Sequence, residues 1–401
     1  MNVLFLSLLD FDSLNERNIY TDLLREFVKG GHNLYVISPA ERRRQIETHI
    51  INENGVYILK LRIGNTQKTN LIEKGISTVL IGPSMVGAIK KHFPDVIFDL
   101  ILYTTPPITF VSAVEYVKKR DGARTYLLLK DIFPQNAVDL GMMQKKGLKA
   151  VLYRFFRTKE KRLYAVSDMI GCMSQANVEY LIRHNSDVPR DKVVVCPNSI
   201  EVIDKSIKLE ERKAIREKYG VPLDKTVFIY GGNLGRPQGV PFLIQCIEAC
   251  QNITDAFFLV VGDGTEYGQL EEFSESSRQP NFKLMKRLPK DDYDTMVGAC
   301  DVGMVFLDHR FTIPNYPSRL LSYMQAKLPV LACTDQATDV GDVIIRGGFG
   351  WWCESNDTGS FVACVRKAID APREEMGRRA YAYLNENYSV EQAFQAIVRC
   401  Q

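Results

Sequence analysis

The run Gly231-Gly232-Asn233-Leu234-Gly235-Arg236-Pro237-Gln238-Gly239 has the residue types of an anion-binding turn. Glycine lets backbone N–H groups approach a ligand closely, and the apolar stretch Val240 to Cys250 predicts a following helix whose N-terminus favours negative charge. A diphosphate suits such a turn. Arg236 adds a fixed cation with fork geometry, and Asn233 and Gln238 add neutral donors. The alternative is a tight strand-to-helix turn in which the glycines serve shape alone. Gly262-Asp263-Gly264 repeats the arrangement one strand and helix later, with Asp263 either part of the same surface or an N-cap. The Pro-rich segment from Phe311 to Ser318 leads into a third helix start, where Tyr316, Ser318, Arg319 and Leu320 offer backbone donors and Pro317, which has no N–H, suits the first helical position. A capped surface helix is its plainer reading. Three donor-rich turns converging on one sheet edge favour a phosphate-bearing ligand.

Two residues of the N-terminal half are candidate reacting groups. Asp131 closes a predicted strand and is read as contacting a bound ligand, or else as an N-cap or a buried partner of Lys130 or Arg17. Arg17 follows the first strand beside Asn15 and Glu16, where a surface salt bridge explains it almost as well. From Lys145 to Arg162, eight basic residues and one acid, including Lys145, Lys146, Lys149, Arg154 and Arg157, accompany Leu148, Val151, Leu152, Phe155 and Phe156 at helical spacing. That pattern suits a basic amphipathic helix on an anionic membrane surface. An ordinary helix packed on a sheet explains the apolar stripe better than it explains the basic excess. Ile76 to Met85 offers further apolar surface.

The elements that must position these residues follow from an alternation of short aliphatic runs with amphipathic stretches, the pattern of parallel sheets covered by helices. Predicted strands are Val3 to Ser7, Asn33 to Ser38, Val96 to Tyr103, Thr125 to Leu129, Met169 to Met173 and Lys192 to Cys196. After a charged connection, the rhythm restarts with Thr226 to Gly231, Phe257 to Gly262, Phe282 to Met285, Val302 to Phe306, Pro329 to Ala332 and Gly350 to Cys353. The fold class is therefore α/β, with two Rossmann-like doubly wound domains facing a central cleft. A chain of 401 residues is long enough for both. The domains are placed at 1–200, together with about 388–401 packing back, and at 201–387.

A formal net charge of +3 gives no reason to expect a nucleic-acid partner. Nine cysteines without paired spacing suit a reducing compartment and offer no zinc site. No cluster of His and Asp ligands suggests a metal. The first apolar run ends at Leu9, far short of a membrane span, so a cytoplasmic protein held at most at the membrane surface is expected.

Further segments join these in a fixed order: Gly30-Gly31-His32, Thr104-Thr105-Pro106-Pro107-Ile108-Thr109 and Leu129-Lys130-Asp131-Ile132-Phe133-Pro134 in the first half. In the second half stand GGNLGRPQG, GDG, PSRLLSYMQAKLPV and GGFGWWCESND. Nearly end to end, this order resembles the retaining glycosyltransferases of family 4, which have the GT-B fold, and especially their bacterial capsule and O-antigen branch. The resemblance implies a nucleotide-diphosphate sugar as donor to an N-terminal acceptor domain; it does not fix the base, for which UDP is the expectation. It also implies hexosyl or N-acetylhexosaminyl transfer with retention, no cofactor and no catalytic metal. It places Asn233 and Gln238 where many members have Arg and Lys on the diphosphate, with Arg236 supplying charge. Arg287 and Leu288 fall at the start of the nucleobase pocket, and the amides of Tyr316 to Leu320 face the phosphates and sugar. The two motif glutamates of the family fall at Pro314 and Ser322, and serine can still bond a ribose hydroxyl. Arg17 falls beside the acceptor.

The implied acceptor is a saccharide, lipid-linked through undecaprenyl diphosphate, reached from the inner membrane face, with other polysaccharide-synthesis enzymes as possible partners. A sugar-nucleotide 2-epimerase of the same fold and a non-catalytic partner subunit are the alternatives. A dehydrogenase is disfavoured, because no GxGxxG follows the first strand.

Overall fold

The computed structural model describes residues 1–65, 71–147, 150–277 and 279–400. It divides into two compact units, Met1–Glu201 with Val390–Gln401, and Val202–Ser389. Each unit is one sheet covered by helices, and the α/β architecture follows the alternation in the sequence.

In the N-terminal unit the strands are β1 (Asn2–Leu6), β2 (Asn33–Glu41), β3 (His49–Glu53), β4 (Val56–Ile63), β5 (Leu100–Thr104), β6 (Arg124–Leu129), β7 (Met169–Cys172) and β8 (Val193–Val195). Their spatial order is β3-β4-β2-β1-β5-β6-β7-β8, parallel except for the β3/β4 pair. The order reverses between β1 and β5, so the turns after these strands flank the crevice that such sheets offer to ligands.

Strands β3 and β4 are absent from the sequence reading. They form a hairpin closed by Asn54 and Gly55, both with positive φ, the residue pair that a two-residue turn favours. Lys60 breaks the apolar run of β4, which hid the strand. Its side chain is fully buried and paired with Asp10 and with Asp12 at 2.8 Å. It also donates to the Phe11 carbonyl at 2.9 Å and the Ser38 hydroxyl at 3.2 Å, which ties the turn after β1 to the sheet. The last helix, Val390–Arg399, returns to this unit as anticipated, where Phe394 meets Phe27 edge-on at 4.9 Å.

In the C-terminal unit the strands are β9 (Thr226–Asn233), β10 (Ala256–Asp263), β11 (Phe282–Lys286), β12 (Val302–Phe306), β13 (Val330–Thr334) and β14 (Gly350–Glu354). They form a six-stranded sheet ordered β11-β10-β9-β12-β13-β14, and every pair is parallel. Near-continuous apolar runs suit strands buried on both faces, and the stacked rings of Phe228 and Phe258, 5.3 Å apart, lie in the core. Counted within the unit, the order is 3-2-1-4-5-6, with its switch point between β9 and β12.

Candidate functional site

The carboxyl edge of this second sheet carries all three glycine- or proline-rich turns. Strands β9 and β10 run past the ends expected from their apolar residues, because their parallel register continues through Gly262 opposite Gly232 and Asp263 opposite Asn233. The two glycine turns are therefore side by side. A Cβ at Gly262 would overlap the Gly232 carbonyl, and one at Gly264 would overlap the Leu234 backbone, so both positions need glycine for close approach. The turn after β12 joins them at the switch point, where the Asp308 N–H donates to the Pro237 carbonyl at 3.0 Å.

Within the first turn, Gly232 and Asn233 are exposed, Gln238 is half-buried, and Gly239 takes a left-handed φ of 59° before the helix Val240–Ala249. Asn233 Nδ2 donates to Gln238 Oε1 at 3.0 Å, and the Gly235 N–H donates to the same oxygen at 3.2 Å. These two side chains brace the turn. Arg236 is exposed, with its Nε 4.0 Å from a Glu266 oxygen. The other Glu266 oxygen is buried without a hydrogen-bond partner among the described residues. Asp308 clasps Arg310 through both oxygens, at 2.8 and 2.7 Å, and this pairing outweighs burial and holds its carboxyl below the usual range.

Several expectations change in detail. Asp263 accepts from the Gly264 N–H at 2.8 Å, bracing its own turn instead of capping the helix that begins at Tyr267. The Leu320 N–H is used by the Pro317 carbonyl at 3.2 Å, and its side chain is buried. Tyr316 is buried with its hydroxyl against that of Tyr388. Ser318 is exposed and Pro317 half-buried, while Ser322 is half-buried in the helix Arg319–Gln325. Arg287 is exposed and Leu288 half-buried just after β11, at the same carboxyl edge.

Arg319 does not extend outward from its helix. Its guanidinium donates to the Gly231 carbonyl and lies 4.3 Å from the centre of the Tyr230 ring. Tyr323, one helical turn on, accepts the Gly231 N–H at 3.3 Å and donates to the Met304 carbonyl at 3.0 Å. Tyr293 lies where a Cβ on Gly231 would stand. Burial pushes the Tyr230 hydroxyl up to about 12, so this aromatic support stays neutral. Tyr230, Tyr293, Tyr323 and Glu266 were missed in the sequence. Only Tyr323 carried a signal, its i, i+4 spacing from Arg319.

In the N-terminal unit, Asp131 follows β6 and accepts two bonds from Asn136 Nδ2, at 2.9 and 2.7 Å. Its N–H donates to the Thr105 hydroxyl at 3.2 Å, which in turn donates to the Asp131 carbonyl at 3.1 Å. The structure gives Asp131 the partner Asn136 in place of Lys130 or Arg17. Lys130 Nζ donates to the Pro197 carbonyl at 3.3 Å, and the exposed Arg17 lies 3.8 Å from Glu201. Burial pushes the Asp131 carboxyl up to about 6.

The basic segment forms the helix Ala150–Val166, in which Val151 and Leu152 are 69% and 53% exposed and Phe155 also reaches the surface. Lys145, Lys146 and Arg154 are exposed beside them. Leu148 and Lys149 lie outside the described residues. Arg157 turns inward: it pairs with Glu160 at 2.5 Å and donates to Asn185 Oδ1 at 2.6 Å, because the buried Glu160 requires a counter-charge. No helix among the described residues is long and apolar enough to cross a membrane.

Two parallel-sheet units of this kind constitute the GT-B fold. Over its full length the chain superposes on HepE of Anabaena, solved with UDP and glucose, with a TM-score of 0.71 at 14% identity, covering 100% of this chain and 98% of that one. Residues 211–383 match the family model described as Glycosyl transferases group 1, which places this unit among glycosyltransferase domains. The chain is similar to a glycosyltransferase named WbjE from Pseudomonas aeruginosa, 24% identical over 75% of this chain and 74% of that protein. It is likewise similar to WcaI of Escherichia coli (strain K12), a glycosyl transferase named for colanic acid biosynthesis, at 24% identity over 71% and 69%.

A carboxyl whose folded value is raised binds its proton more tightly in the native state, so its penalty to stability develops as pH rises through about 6. Asp131→Asn keeps an acceptor for Asn136 and removes that penalty. At pH 7.5 the variant is expected to be more stable by ~1–3 kcal/mol, with the difference vanishing below about pH 4. Thermal unfolding followed across this pH range checks it, and a variant less stable at pH 7.5 contradicts the assignment.

Proposed function

We propose that the protein transfers a sugar from a nucleoside-diphosphate donor, with UDP as the nucleotide, to a saccharide acceptor in surface-polysaccharide synthesis. The observation that carries this reading is the register that sets the Gly231–Gly239 turn beside Gly262–Gly264, with the turn after β12 completing the switch point. Neutral loop donors and nearby guanidinium groups suit a diphosphate. The UDP in HepE and the biosynthetic role in the name of WcaI agree with the nucleotide and the pathway class.

In this reading the C-terminal unit holds the donor, and departure of the nucleoside diphosphate is eased by preorganised amides and arginine charge, with no catalytic metal assigned. Transfer proceeds with retention, and the leaving phosphate takes the acceptor proton. The N-terminal unit receives the acceptor, with Asp131 and Arg17 assigned to it. UDP-hexoses and UDP-N-acetylhexosamines are the first donors to try. At about 100-fold excess over its Kd, a donor that binds only the folded state stabilises it by about 2.7 kcal/mol. A rise in unfolding temperature with a UDP-sugar, and none with free sugar, is the expected outcome. No shift with UDP, GDP, ADP or dTDP sugars contradicts the reading.

The acceptor is assigned as lipid-linked, with the protein peripheral on the inner face of the membrane. Exposed Val151, Leu152 and Phe155 among exposed Lys145, Lys146 and Arg154 match an anionic lipid surface, the apolar groups entering the interface and the cations meeting headgroups. Co-sedimentation with phosphatidylglycerol vesicles, lost in Leu152→Ser/Phe155→Ser and absent with phosphatidylcholine, is predicted. Equal sedimentation of the double variant removes this part of the proposal.

A further inference from the structure

The outward side chains of the Gly231–Gly239 turn give it little fixed charge. Asn233 and Gln238 are neutral and bonded to each other, and the exposed Arg236 lies toward Glu266. A cation nevertheless lies against the turn, on its inner side. Arg319 is half-buried and reaches the Gly231 carbonyl, while its Nη2 stands 3.1 Å from the position a Cβ on Gly232 would take. Gly232 itself has a φ of 120°, a conformation in which glycine alone is unstrained.

We propose that Arg319 is a positioning residue that supplies, from beneath the Gly231–Gly232 turn, the positive charge with which this turn holds a nucleoside diphosphate. The inference rests on the donor reading above. A guanidinium is charged at every accessible pH, and one held over a Tyr face keeps its orientation without a counter-carboxylate. The Tyr230 ring provides that face at 4.3 Å. Partial burial protects the field of this charge from salt, so it acts on an anion above the turn more strongly than an exposed lysine does. Its bond to the Gly231 carbonyl also polarises the peptide linking Gly231 to Gly232.

The same geometry couples two turns. Both polar groups of Gly231 are taken by one helix, the carbonyl by Arg319 and the N–H by Tyr323, and this helix begins directly after the turn that follows β12. The segments on either side of the switch point are thus braced as one piece. No hydrogen bond from Arg319 to the ligand is required.

Arg319→Gln retains a donor for the Gly231 carbonyl but removes the charge, and Arg319→Lys retains charge without the fork. Calorimetry with UDP, and ligand-observed NMR with uridine, read the two contributions separately. For Arg319→Gln the UDP Kd is expected to rise about 10- to 100-fold, the size of a through-space interaction between charges several ångströms apart near a protein surface, with uridine affinity unchanged. Arg319→Lys recovers most of the UDP affinity. Unchanged UDP affinity in Arg319→Gln, or equal loss of UDP and uridine affinity, overturns the proposal. Wild-type protein that binds none of UDP, GDP, ADP and dTDP overturns the donor reading itself, and this proposal with it.

Discussion

The arrangement depends on the parallel register of β9 and β10. Because that register runs on through Gly232–Gly262 and Asn233–Asp263, two turns that are thirty residues apart in sequence become neighbours at one sheet edge. The close approach excludes side chains at Gly262 and Gly264, which is why glycine is the residue type there. Everything else at the edge follows from holding those turns still. Gln238 fixes the first from within, Asp263 the second, and Arg319 with Tyr323 grips Gly231 from the next helix.

Much of this scaffold was legible in the sequence. Strands buried on both faces leave unbroken runs of apolar residues, and β12 begins and ends where its residues predict. The hairpin of β3 and β4 escaped because Lys60, a charged residue in an apolar run, reads as surface. Only the fold shows that Asp10, Asp12 and Ser38 surround it. Turn residues were legible by type and not by direction. The spacing of Arg319 after Pro317 predicts a helix start correctly, yet nothing local says that its side chain turns under Gly231.

The two units differ in how they use charge. At the carboxyl edge of the C-terminal sheet Asp308 pairs with Arg310, and Arg319 is held by a carbonyl and a ring face. On the helix Ala150–Val166, exposed cations lie beside exposed aliphatic groups, while Arg157 from the same basic run serves the buried Glu160. A basic run in sequence is therefore divided by the fold into surface and core roles, and counting charges alone does not separate them. Asp131 shows the same limit: its partner Asn136 lies five residues on, across a turn whose path the sequence leaves open.

The central claim is that the donor lies on the carboxyl edge of the C-terminal sheet. Hydrogen–deuterium exchange read by mass spectrometry, with and without saturating UDP, tests it most directly. Protection concentrated in peptides covering 231–239, 262–264 and 316–322 is the predicted result. Protection confined to the N-terminal unit, with these three segments exchanging as in the free protein, would contradict it.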